Sequence, residues 1–344
     1  MTQPLRYAIV GAGAIGAYVG AALSRGGAEV TLVARGPHLE AMRRDGVRVH
    51  SPRGDFHAQV HATDDLAAVA DADVVFLGLK SPSLPDMAPR LAEHLAPGAA
   101  VIAAQNGIPW WYFQSHPGGR DLRLESVDPG GVVAAAIAPE RVIGCVIYCS
   151  TEICAPGTIR HIEGTRYAIG EPDGSESARC LAIAEDFRRG GLKCPVESDL
   201  REQIWLKLLG NVAFNPVSAL TGATLAELGS QPEMVELLRA VMEESAAVAS
   251  ALGVTLPVSI DHRLERGIAV GDHKTSMLQD VEAGKPLEID CLTAAVIELA
   301  DQLGIPVPHT RTLHACVRLL EARVCRGSRP APAAPPAPVR ALAA

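Results

Sequence analysis

The chain has 344 residues, of which 48% are hydrophobic and 20% charged, and its formal net charge is −8. This length suits two domains with a sizeable core, and the acidic balance argues against a nucleic-acid partner. No apolar run reaches the roughly eighteen residues of a membrane-spanning helix, and no basic, apolar signal segment precedes the first predicted strand. We therefore expect a cytoplasmic protein without a membrane partner.

The first predicted strand leads into a glycine-rich turn. Leu5–Val10 is almost entirely apolar, and a helical run of small residues covers Ala17–Ser24. Between them, Gly11 permits the tight turn, Gly13 leaves room for a pyrophosphate, and Gly16 lets the helix pack closely on the strand. The helix N-terminus adds free N–H groups and a positive dipole end. The residues predicted to contact a dinucleotide here are Gly11, Ala12, Gly13, Ala14, Ile15 and Gly16.

The residue after the second predicted strand indicates whether the dinucleotide is NAD(H) or NADP(H). Glu29–Ala34 is followed by Arg35, where an NAD site usually has an acidic residue for the ribose 2′-OH. An arginine can instead clamp a 2′-phosphate, so the sequence predicts NADP(H) bound by Arg35. Arg43 or Arg44 offers a second cation. The alternative is that Arg35 is a solvated surface residue.

Strands and helices alternate from residue 5 to about residue 105, which predicts a parallel sheet with crossover helices. The strand Asp73–Leu79 ends in Lys80, and Ala99–Ala104 ends in Gln105-Asn106-Gly107. Both ends lie at the carboxyl edge, where ligands bind in open α/β sheets. Val47–Val49 and Phe56–Ala62 are expected to form a hairpin.

Residues 109–130 contain two of the three tryptophans, in the run Trp110–Phe113. This cluster is either part of the core or an interface, which we favour, or a wall of the substrate pocket. Further on, Arg141–Cys149 is a predicted strand and Ser177–Arg189 a predicted helix. Pro156–His161 and Arg166–Gly170 are predicted to pair with each other at the sheet edge.

Helical periodicity dominates after residue 198. The chain is therefore predicted to be an α/β protein with an N-terminal Rossmann-type doubly wound sheet and a C-terminal all-helical domain. The predicted ranges are 1–197 for the first domain, 198–325 for the helical domain, and 326–344 for a disordered tail rich in proline and alanine. The predicted helices are Leu200–Leu220, Pro232–Leu252, Val258–Ala269, Cys291–Leu303 and Thr310–Arg323.

A polar stripe marks the first of these helices. Lys207, Asn211 and Asn215 recur every four positions in an otherwise apolar segment, which sets them along one helix face. Buried lysine and asparagine side chains are costly unless they serve each other or a ligand, and burial lowers a lysine pKa toward values useful for acid–base chemistry. The alternative is a stripe facing solvent. The following Pro216 is expected to kink or end the helix.

A second polar cluster has a structural alternative. Ser276 and Gln279 have the spacing of a capping box, and Asp290 is a good N-cap for a helix starting at Cys291. Spacing alone does not decide whether Ser276 and Glu288 are functional or structural.

The eight cysteines form no C-x-x-C pair and no zinc pattern, so no metal site is predicted. In a cytosolic chain we expect reduced, mostly buried thiols. These residues are Cys145, Cys149, Cys154, Cys180, Cys194, Cys291, Cys316 and Cys325.

Taken together, these motifs resemble the ketopantoate reductase family (2-dehydropantoate 2-reductase) over residues 5 to 320. The resemblance implies an active site between a Rossmann domain and a helical domain, in which NADPH reduces a 2-oxo acid to a 2-hydroxy acid. Ketopantoate is the default substrate, and the reaction belongs to pantothenate biosynthesis. The matching motifs are the glycines with Arg35, Leu79-Lys80, Gln105-Asn106-Gly107, Trp205-Leu206-Lys207-Leu208 with Asn211 and Asn215, Ser276–Asp280, and Glu288-Ile289-Asp290.

The resemblance also implies residue roles. Lys207 is the general acid at the carbonyl oxygen, and Glu288 positions the substrate and the lysine. Lys80 and Asn106 lie at the cofactor and the catalytic centre. Asn211, Asn215 and Ser276 hold the carboxylate and hydroxyl ends of the substrate.

Four features depart from the family pattern and bear on the substrate. They are His273, Ala294, the turn Lys80-Ser81-Pro82, and the long aromatic region Trp110–Gly131. They leave open a reductase of a different bulky 2-oxo acid. A non-catalytic NADP(H)-binding sensor is the alternative from another class, and an NAD-linked 3-hydroxyacyl or 6-phosphogluconate-type dehydrogenase lacks matching motifs in the second half. A homodimer is plausible.

Overall fold

The structure is a computed structural model that describes residues 5–116 and 122–327. Within these residues, nine strands form a single sheet in the order β4-β3-β9-β8-β7-β6-β1-β2-β5. Most neighbouring strands are parallel, and only the pairs β3–β4 and β8–β9 are antiparallel. The strands are β1 (Arg6–Val10), β2 (Glu29–Val33), β3 (Val47–His50), β4 (Phe56–Ala58), β5 (His61–Thr63), β6 (Val74–Leu77), β7 (Ala100–Ala103), β8 (Val142–Ala155) and β9 (Thr158–Gly170).

Five α-helices accompany the sheet, and seven more form the C-terminal half of the described chain. The first five are α1 (Ala14–Arg25), α2 (Gly36–Asp45), α3 (Leu84–Ala92), α4 (Val132–Ala136) and α5 (Ala178–Arg189). The others are α6 (Leu200–Thr221), α7 (Leu225–Gly229), α8 (Pro232–Ala251), α9 (Ile260–Ile268), α10 (Ser276–Glu282), α11 (Ala295–Leu303) and α12 (Pro308–Gly327), with a π-helical segment at Asp290–Ala294 before α11. The predicted class, a Rossmann-type sheet followed by an all-helical half, is confirmed.

The strand order places a crevice beside β1. From β1 the chain moves to β2 on one side and later returns to β6 on the other. In open α/β sheets such a reversal opens a crevice at the carboxyl ends of the two strands. The turn after β1 and the loop after β6 both lie there, so the glycine-rich motif and Lys80 share one edge of the sheet.

The predicted pairing near the sheet edge is wrong. Pro156–His161 and Arg166–Gly170 do not pair with each other, because Thr158–Gly170 is one continuous strand, β9, which runs antiparallel to β8 and lies between β8 and β3. The residues between them form an irregularity in the strand rather than a loop. Gly164 adopts a φ of +73° there, and a Cβ on it would lie 2.2 Å from the Tyr148 carbonyl oxygen. Only glycine fits so close to the neighbouring strand.

The predicted hairpin is confirmed for part of its length. β3 pairs antiparallel with β4, but β4 ends at Ala58. His61–Thr63 instead forms β5, which pairs parallel with β2 at the opposite edge of the sheet.

Helix α6 continues through Pro216 to Thr221, in agreement with the predicted range Leu200–Leu220, and it does not end at the Asn-Pro step, which is one of the two outcomes expected there. Most residues from Leu208 to Ala219 are buried, and α6 packs against α8, α10 and α12. This tertiary packing outweighs the one backbone hydrogen bond that proline cannot make.

The aromatic run Trp110–Phe113 belongs to the core, as favoured from the sequence. Trp111 is 1% exposed and Tyr112 is fully buried. The Trp205 indole N–H donates to the Tyr112 hydroxyl oxygen at 2.7 Å, which joins this segment to α6. One apolar cluster therefore extends from one face of the sheet into the helical half, and a second cluster covers the other face.

Two stretches that carried predictions fall outside the described residues. They are residues 117–121, which belong to the aromatic region Trp110–Gly131, and residues 328–344 of the predicted tail. Among the helices of the described chain, none combines the length and apolar character that crossing a membrane requires.

Candidate active site

The glycine-rich turn is built closely against the sheet but is open toward its outer side. Gly11 has a φ of +90°, and a Cβ on it would lie 2.7 Å from the Leu79 side chain. A Cβ on Gly16 would lie 2.4 Å from the Gly11 carbonyl oxygen, whereas a Cβ on Gly13 would meet nothing within 4 Å. Among the described residues, no side chain caps the N-terminus of α1 at Gly13. The turn therefore offers free space and uncapped N–H groups, which suit a pyrophosphate.

Arg35 follows β2 at the same edge of the sheet. It is exposed and makes no ion pair with the described residues. Arg43, by contrast, pairs with Asp64 at 2.6 Å, and Arg44 pairs with Asp45 at 2.7 Å. Of the three arginines considered from the sequence, Arg35 alone keeps its guanidinium available for an anion.

The loops after β6 and β7 meet the helical half. Lys80 Nζ lies 2.5 Å from Asp280 Oδ2 on α10. Gly107 has a φ of +76°, and a Cβ on it would lie 2.1 Å from the Cys291 carbonyl oxygen. The Ile108 N–H donates to that same carbonyl at 2.9 Å. These contacts hold the carboxyl edge of the sheet against the segment that precedes α11.

A chain of hydrogen bonds joins Lys207, Asn106 and Glu288. Lys207 Nζ donates to Asn106 Oδ1 at 2.6 Å, and Asn106 Nδ2 donates to Glu288 Oε2 at 3.2 Å. The other oxygen of Glu288 accepts from the Ser81 N–H at 3.4 Å. The three residues come from α6, from the loop after β7 and from the segment before α11. Folding thus brings together side chains that are up to 182 residues apart in sequence.

Burial determines the charge state of Lys207. The side chain keeps some solvent access, but its ammonium is surrounded by protein. This burial lowers the pKa of Lys207 from 10.5 to about 8, and the Glu288 carboxylate opposes the shift. An amine with this pKa can hold a proton near neutral pH and release it readily.

Asn211 and Asn215 lie one and two turns beyond Lys207 on α6. Asn215 is 6% exposed and Asn211 is partly buried. Neither side chain makes a hydrogen bond to the residues that the structure describes, in contrast to Asn106. The polar stripe of Lys207, Asn211 and Asn215 is therefore mostly buried and does not face solvent. The amide groups of the two asparagines are available to bind a ligand.

The second polar cluster differs from its predicted local structure. The N-cap of α10 is Thr275, whose hydroxyl accepts from the Leu278 N–H, so Ser276 is the first helical residue and not the cap. Asp290 caps no helix, because it lies inside the π-helical segment and pairs with Arg318 at 3.2 Å. Ser276 is exposed and precedes Asp280, the partner of Lys80, by one helical turn.

Sequence reasoning missed two residues at this centre. Tyr148 of β8 has its ring centroid 5.9 Å from Lys207 Nζ, and the Ser81 N–H holds Glu288. A tyrosine in the middle of a predicted strand gives no signal of a functional role. The Ser81 contact is made by the backbone, so no side-chain pattern could reveal it.

A small cavity opens beside the ammonium. Its lining residues are Gln105, Asn106, Gly107, Val146, Ile204, Lys207 and Leu208. It therefore lies between the carboxyl edge of the sheet and α6. A polar group at this position would meet the Lys207 ammonium on one side and the loop after β7 on the other. Such a centre can protonate a carbonyl oxygen as its carbon accepts a hydride.

Comparison with known proteins agrees with this geometry. Residues 7–117 match the family model "Ketopantoate reductase PanE/ApbA", and residues 199–321 match "Ketopantoate reductase PanE/ApbA C terminal". The chain is 43% identical over 322 residues to the 2-dehydropantoate 2-reductase of Mesorhizobium japonicum, covering 92% of this chain and 98% of that protein.

Two solved structures extend the comparison. The crystal structure of a PanE/ApbA family ketopantoate reductase from Ralstonia eutropha JMP134 is 32% identical, with a TM-score of 0.81, and the match covers 93% of this chain and 99% of that one. The ternary structure of D-mandelate dehydrogenase with NADH and anilino(oxo)acetate is 19% identical, with a TM-score of 0.80 over 93% of this chain and 99% of that one. The second likeness concerns the fold alone.

Proposed function

Because the chain belongs to the ketopantoate reductase family, we propose that it uses NADPH to reduce 2-dehydropantoate (ketopantoate) to pantoate. The observation that carries this proposal is the hydrogen-bonded chain from Lys207 through Asn106 to Glu288. It presents a buried ammonium at the carboxyl edge of a dinucleotide-type sheet. This arrangement supports an oxidoreductase acting on a carbonyl group more than it supports a sensor without catalysis.

The proton and hydride reach opposite ends of one carbonyl group in this reaction. NADPH held by the glycine-rich turn and Arg35 would supply the hydride for the new C–H bond at the keto carbon. Lys207 donates its proton to the keto oxygen, so the C=O bond becomes C–OH and the lysine is left neutral. Asn106 Oδ1 orients the ammonium, and Glu288 fixes the Asn106 amide while its charge favours the protonated lysine.

The residues that fit the cofactor are those of the glycine-rich turn together with Arg35, Lys80 and Asn106. Free space at Gly13 and the uncapped N-terminus of α1 support a pyrophosphate at this turn. The free guanidinium of Arg35 supports a 2′-phosphate, hence NADP(H) rather than NAD(H). Arg35→Ala should therefore weaken NADPH binding at least tenfold while changing NADH binding little. Equal losses for both cofactors would contradict this assignment.

We assign the polar ends of the substrate to Asn211, Asn215 and Ser276. The two asparagines support this role because their amides are free and lie next to Lys207 along α6. A reductase of a different bulky 2-oxo acid is the second candidate, and His273 favours it as a departure from the family pattern. The aromatic run Trp110–Phe113 no longer favours it, because its side chains are buried in the core.

Three further assignments are part of this proposal. The domain boundary at 197/198 is supported by the last backbone hydrogen bond that the described chain makes to β9, from the Glu197 N–H to the Ile169 carbonyl oxygen at 2.8 Å, and by the start of α6 at Leu200. All eight cysteines are free thiols, which supports a reducing, cytoplasmic location. We propose a homodimer on the general ground that the helical half has many apolar faces.

The decisive experiment follows the loss of reduced-nicotinamide absorbance with purified protein, NADPH, ketopantoate and a panel of other 2-oxo acids. Turnover of ketopantoate with kcat/KM of about 10⁴ M⁻¹s⁻¹ or more would establish the substrate. Turnover of another 2-oxo acid but not of ketopantoate would support the role of Lys207 and show that ketopantoate is not the substrate. No turnover of any 2-oxo acid, with NADPH still bound, would favour the sensor.

A further inference from the structure

The π-helical segment Asp290–Ala294 is an irregular turn between Glu288 and α11. The Ile289 carbonyl oxygen accepts the Thr293 N–H at 3.0 Å and also the Ala294 N–H at 3.1 Å, and the second bond spans one residue more than an α-helical bond does. Such turns are rare and occur frequently at functional sites. In this chain the turn begins directly after the carboxylate of the candidate site. The groups that hold the turn therefore also hold Glu288.

The irregular turn makes one carbonyl group available to the sheet half of the protein. In an α-helix the Ala295 N–H would donate to the Cys291 carbonyl oxygen, four residues earlier. Here it donates instead to the carbonyl oxygens of the residues on either side of Cys291. The Cys291 carbonyl oxygen accepts the Ile108 N–H at 2.9 Å, in the loop after β7 that carries Asn106. The chain from Glu288 to Cys291 thus meets this loop twice, through a carboxylate and through the backbone.

The Thr293 side chain fixes this turn from inside the protein. Thr293 is fully buried, and its hydroxyl donates at 3.1 Å to the Ile289 carbonyl oxygen, which also accepts the two N–H groups of the turn. On its other side the Thr293 hydroxyl oxygen lies 2.8 Å from His314 Nδ1 of α12. A hydroxyl has one proton, and here the Ile289 carbonyl takes it, so His314 Nδ1 is the donor to Thr293. The turn is therefore held by a relay of two side chains from α12.

This relay is better placed to hold the turn than a second contact between the turn and α12. Asp290 pairs with Arg318 at 3.2 Å, but about half of each side chain is exposed, and exposed ion pairs contribute little. A buried hydroxyl or imidazole N–H, by contrast, is costly to leave without a partner. Loss of the Thr293 hydroxyl would leave the His314 N–H unpaired and free the turn to relax toward an α-helix.

From these contacts we propose that Thr293, with His314 behind it, is a positioning residue for Glu288. Glu288 in turn binds Asn106, the partner of Lys207. Thr293 itself touches neither substrate nor cofactor in this role. The bond from Asn106 to Glu288 is 3.2 Å long, so a small shift of the turn is enough to break it. The inference rests on the proposed function, since it concerns the proton donor of the same reaction.

The test compares Thr293→Val, which keeps the shape without the hydroxyl, with Thr293→Ser, which keeps the hydroxyl. In Thr293→Val, kcat should fall about ten- to a hundredfold, since a misplacement of about 1 Å can cost that much. KM for NADPH and for the 2-oxo acid should change little. The falling limb of the pH profile should move to lower pH, because the Glu288 carboxylate no longer favours the protonated form of Lys207 as strongly. Thr293→Ser should restore both kcat and the limb.

The pKa of Lys207 can also be measured without turnover. The pH dependence of its acetylation by acetic anhydride, followed by mass spectrometry of the peptide that contains it, gives this pKa directly. Thr293→Val should lower it, and Thr293→Ser should restore it. The matched control is Thr310→Val, because Thr310 is also fully buried and its hydroxyl donates to Glu244 of α8 at 2.7 Å. This control should lose unfolding free energy but keep the wild-type kcat and Lys207 pKa.

A second position keeps the test open if Thr293→Val does not fold. His314 is only partly buried, so it tolerates substitution better. His314→Leu removes the N–H donor and should lower kcat and the Lys207 pKa, whereas His314→Asn offers an amide N–H in its place and should restore them. Wild-type kcat and Lys207 pKa in either Thr293→Val or His314→Leu, or losses that Thr293→Ser does not restore, would overturn the proposal.

The two readouts distinguish this inference from the proposed function. A lowered Lys207 pKa in Thr293→Val, in a protein whose wild type reduces no 2-oxo acid, would contradict the proposed function and support the positioning role. Reduction by the wild type, with unchanged kcat and Lys207 pKa in Thr293→Val, would support the proposed function and contradict the positioning role. An unchanged pKa together with no reduction would contradict both.

Discussion

Lys207 is the residue on which two opposing electrostatic effects meet. Burial favours its neutral form, and the Glu288 carboxylate favours its protonated form, with burial the stronger effect. The resulting pKa of about 8 means that the ammonium form predominates at neutral pH and disappears above it. Asn106 adds no charge, but it fixes the direction in which the proton points.

The first prediction concerns the pH dependence of reduction. A general acid must be protonated, so kcat/KM for the wild type should be constant below about pH 7 and fall as pH rises through about 8. Lys207→Met should lower kcat by about 10²- to 10⁴-fold, the usual contribution of general acid catalysis. Steady-state rates from pH 5.5 to 9.5 measure both effects. An equal loss of NADPH affinity in Lys207→Met would contradict the assignment as the acid.

The second prediction uses Glu288→Gln. Removing this negative charge lowers the pKa of Lys207, so the falling limb of the pH profile should move to lower pH. The substitution also places an amide N–H group where Glu288 accepts from Asn106 and Ser81, so kcat should fall as well. The matched control is Glu321→Gln on α12, which also removes a carboxylate that accepts a backbone N–H, that of Leu287. A limb that stays at the wild-type pH in Glu288→Gln would contradict the electrostatic role.

At the scale of elements, Gly13 and Gly16 have different roles in the turn between β1 and α1. The third prediction compares Gly13→Ala with Gly16→Ala. Gly13 has open space for a Cβ, so the protein should remain as stable but bind NADPH at least tenfold more weakly. A Cβ on Gly16 would lie 2.4 Å from backbone, so this variant should lose about 1–3 kcal/mol of unfolding free energy. Chemical denaturation and NADPH titration separate the two effects. Equal stability losses would contradict the assignment.

The loop after β7 is the element that joins the two halves at the site. The fourth prediction compares Gly107→Ala with Gly98→Ala, since both glycines have a φ near +80°. Alanine at Gly98 meets no atom within 4 Å and should cost only the backbone strain, about 1–2 kcal/mol. Alanine at Gly107 also collides with the Cys291 carbonyl, so it should cost more and lower kcat by displacing Asn106. Similar unfolding free energies for the two variants would contradict this account.

At the scale of the whole molecule, the two halves share one apolar cluster. All three tryptophans of the chain lie in it, Trp110 and Trp111 from the sheet side and Trp205 from α6. The Glu298 carboxylate of α11 also accepts the N–H groups of Glu125 and Ser126. Neither half can lose its packing without exposing apolar surface of the other.

The fifth prediction follows from this shared core. Unfolding in urea should occur in a single transition, with the same midpoint by tryptophan fluorescence and by far-ultraviolet circular dichroism. The first probe reports the shared cluster and the second reports all helices and strands. A loss of helical signal at lower urea concentration than the fluorescence change would mean that the halves unfold separately.

The sequence by itself determined the features that depend on local pattern. The glycine spacing after an apolar strand, Arg35 at the end of the next strand, and the stripe from Lys207 to Asn215 are all readable without a structure. They predicted the fold class and the side chains that now stand at the candidate site. Local turns and caps were less secure, because residues such as Thr275 and Ser276 are equally good caps and only the packing of α10 selects between them.

Only the tertiary structure decided which side chains meet. Asn106, Lys207 and Glu288 are too far apart in sequence for any periodicity to relate them, and their hydrogen bonds depend on packing the helical half against the sheet. The same packing keeps α6 helical past Pro216. Pairing with β8 likewise keeps β9 a single strand on both sides of Gly164. Packing between residues that are distant in sequence determines these contacts and lowers the pKa of Lys207. Neither can be predicted from the spacing of residues along the chain.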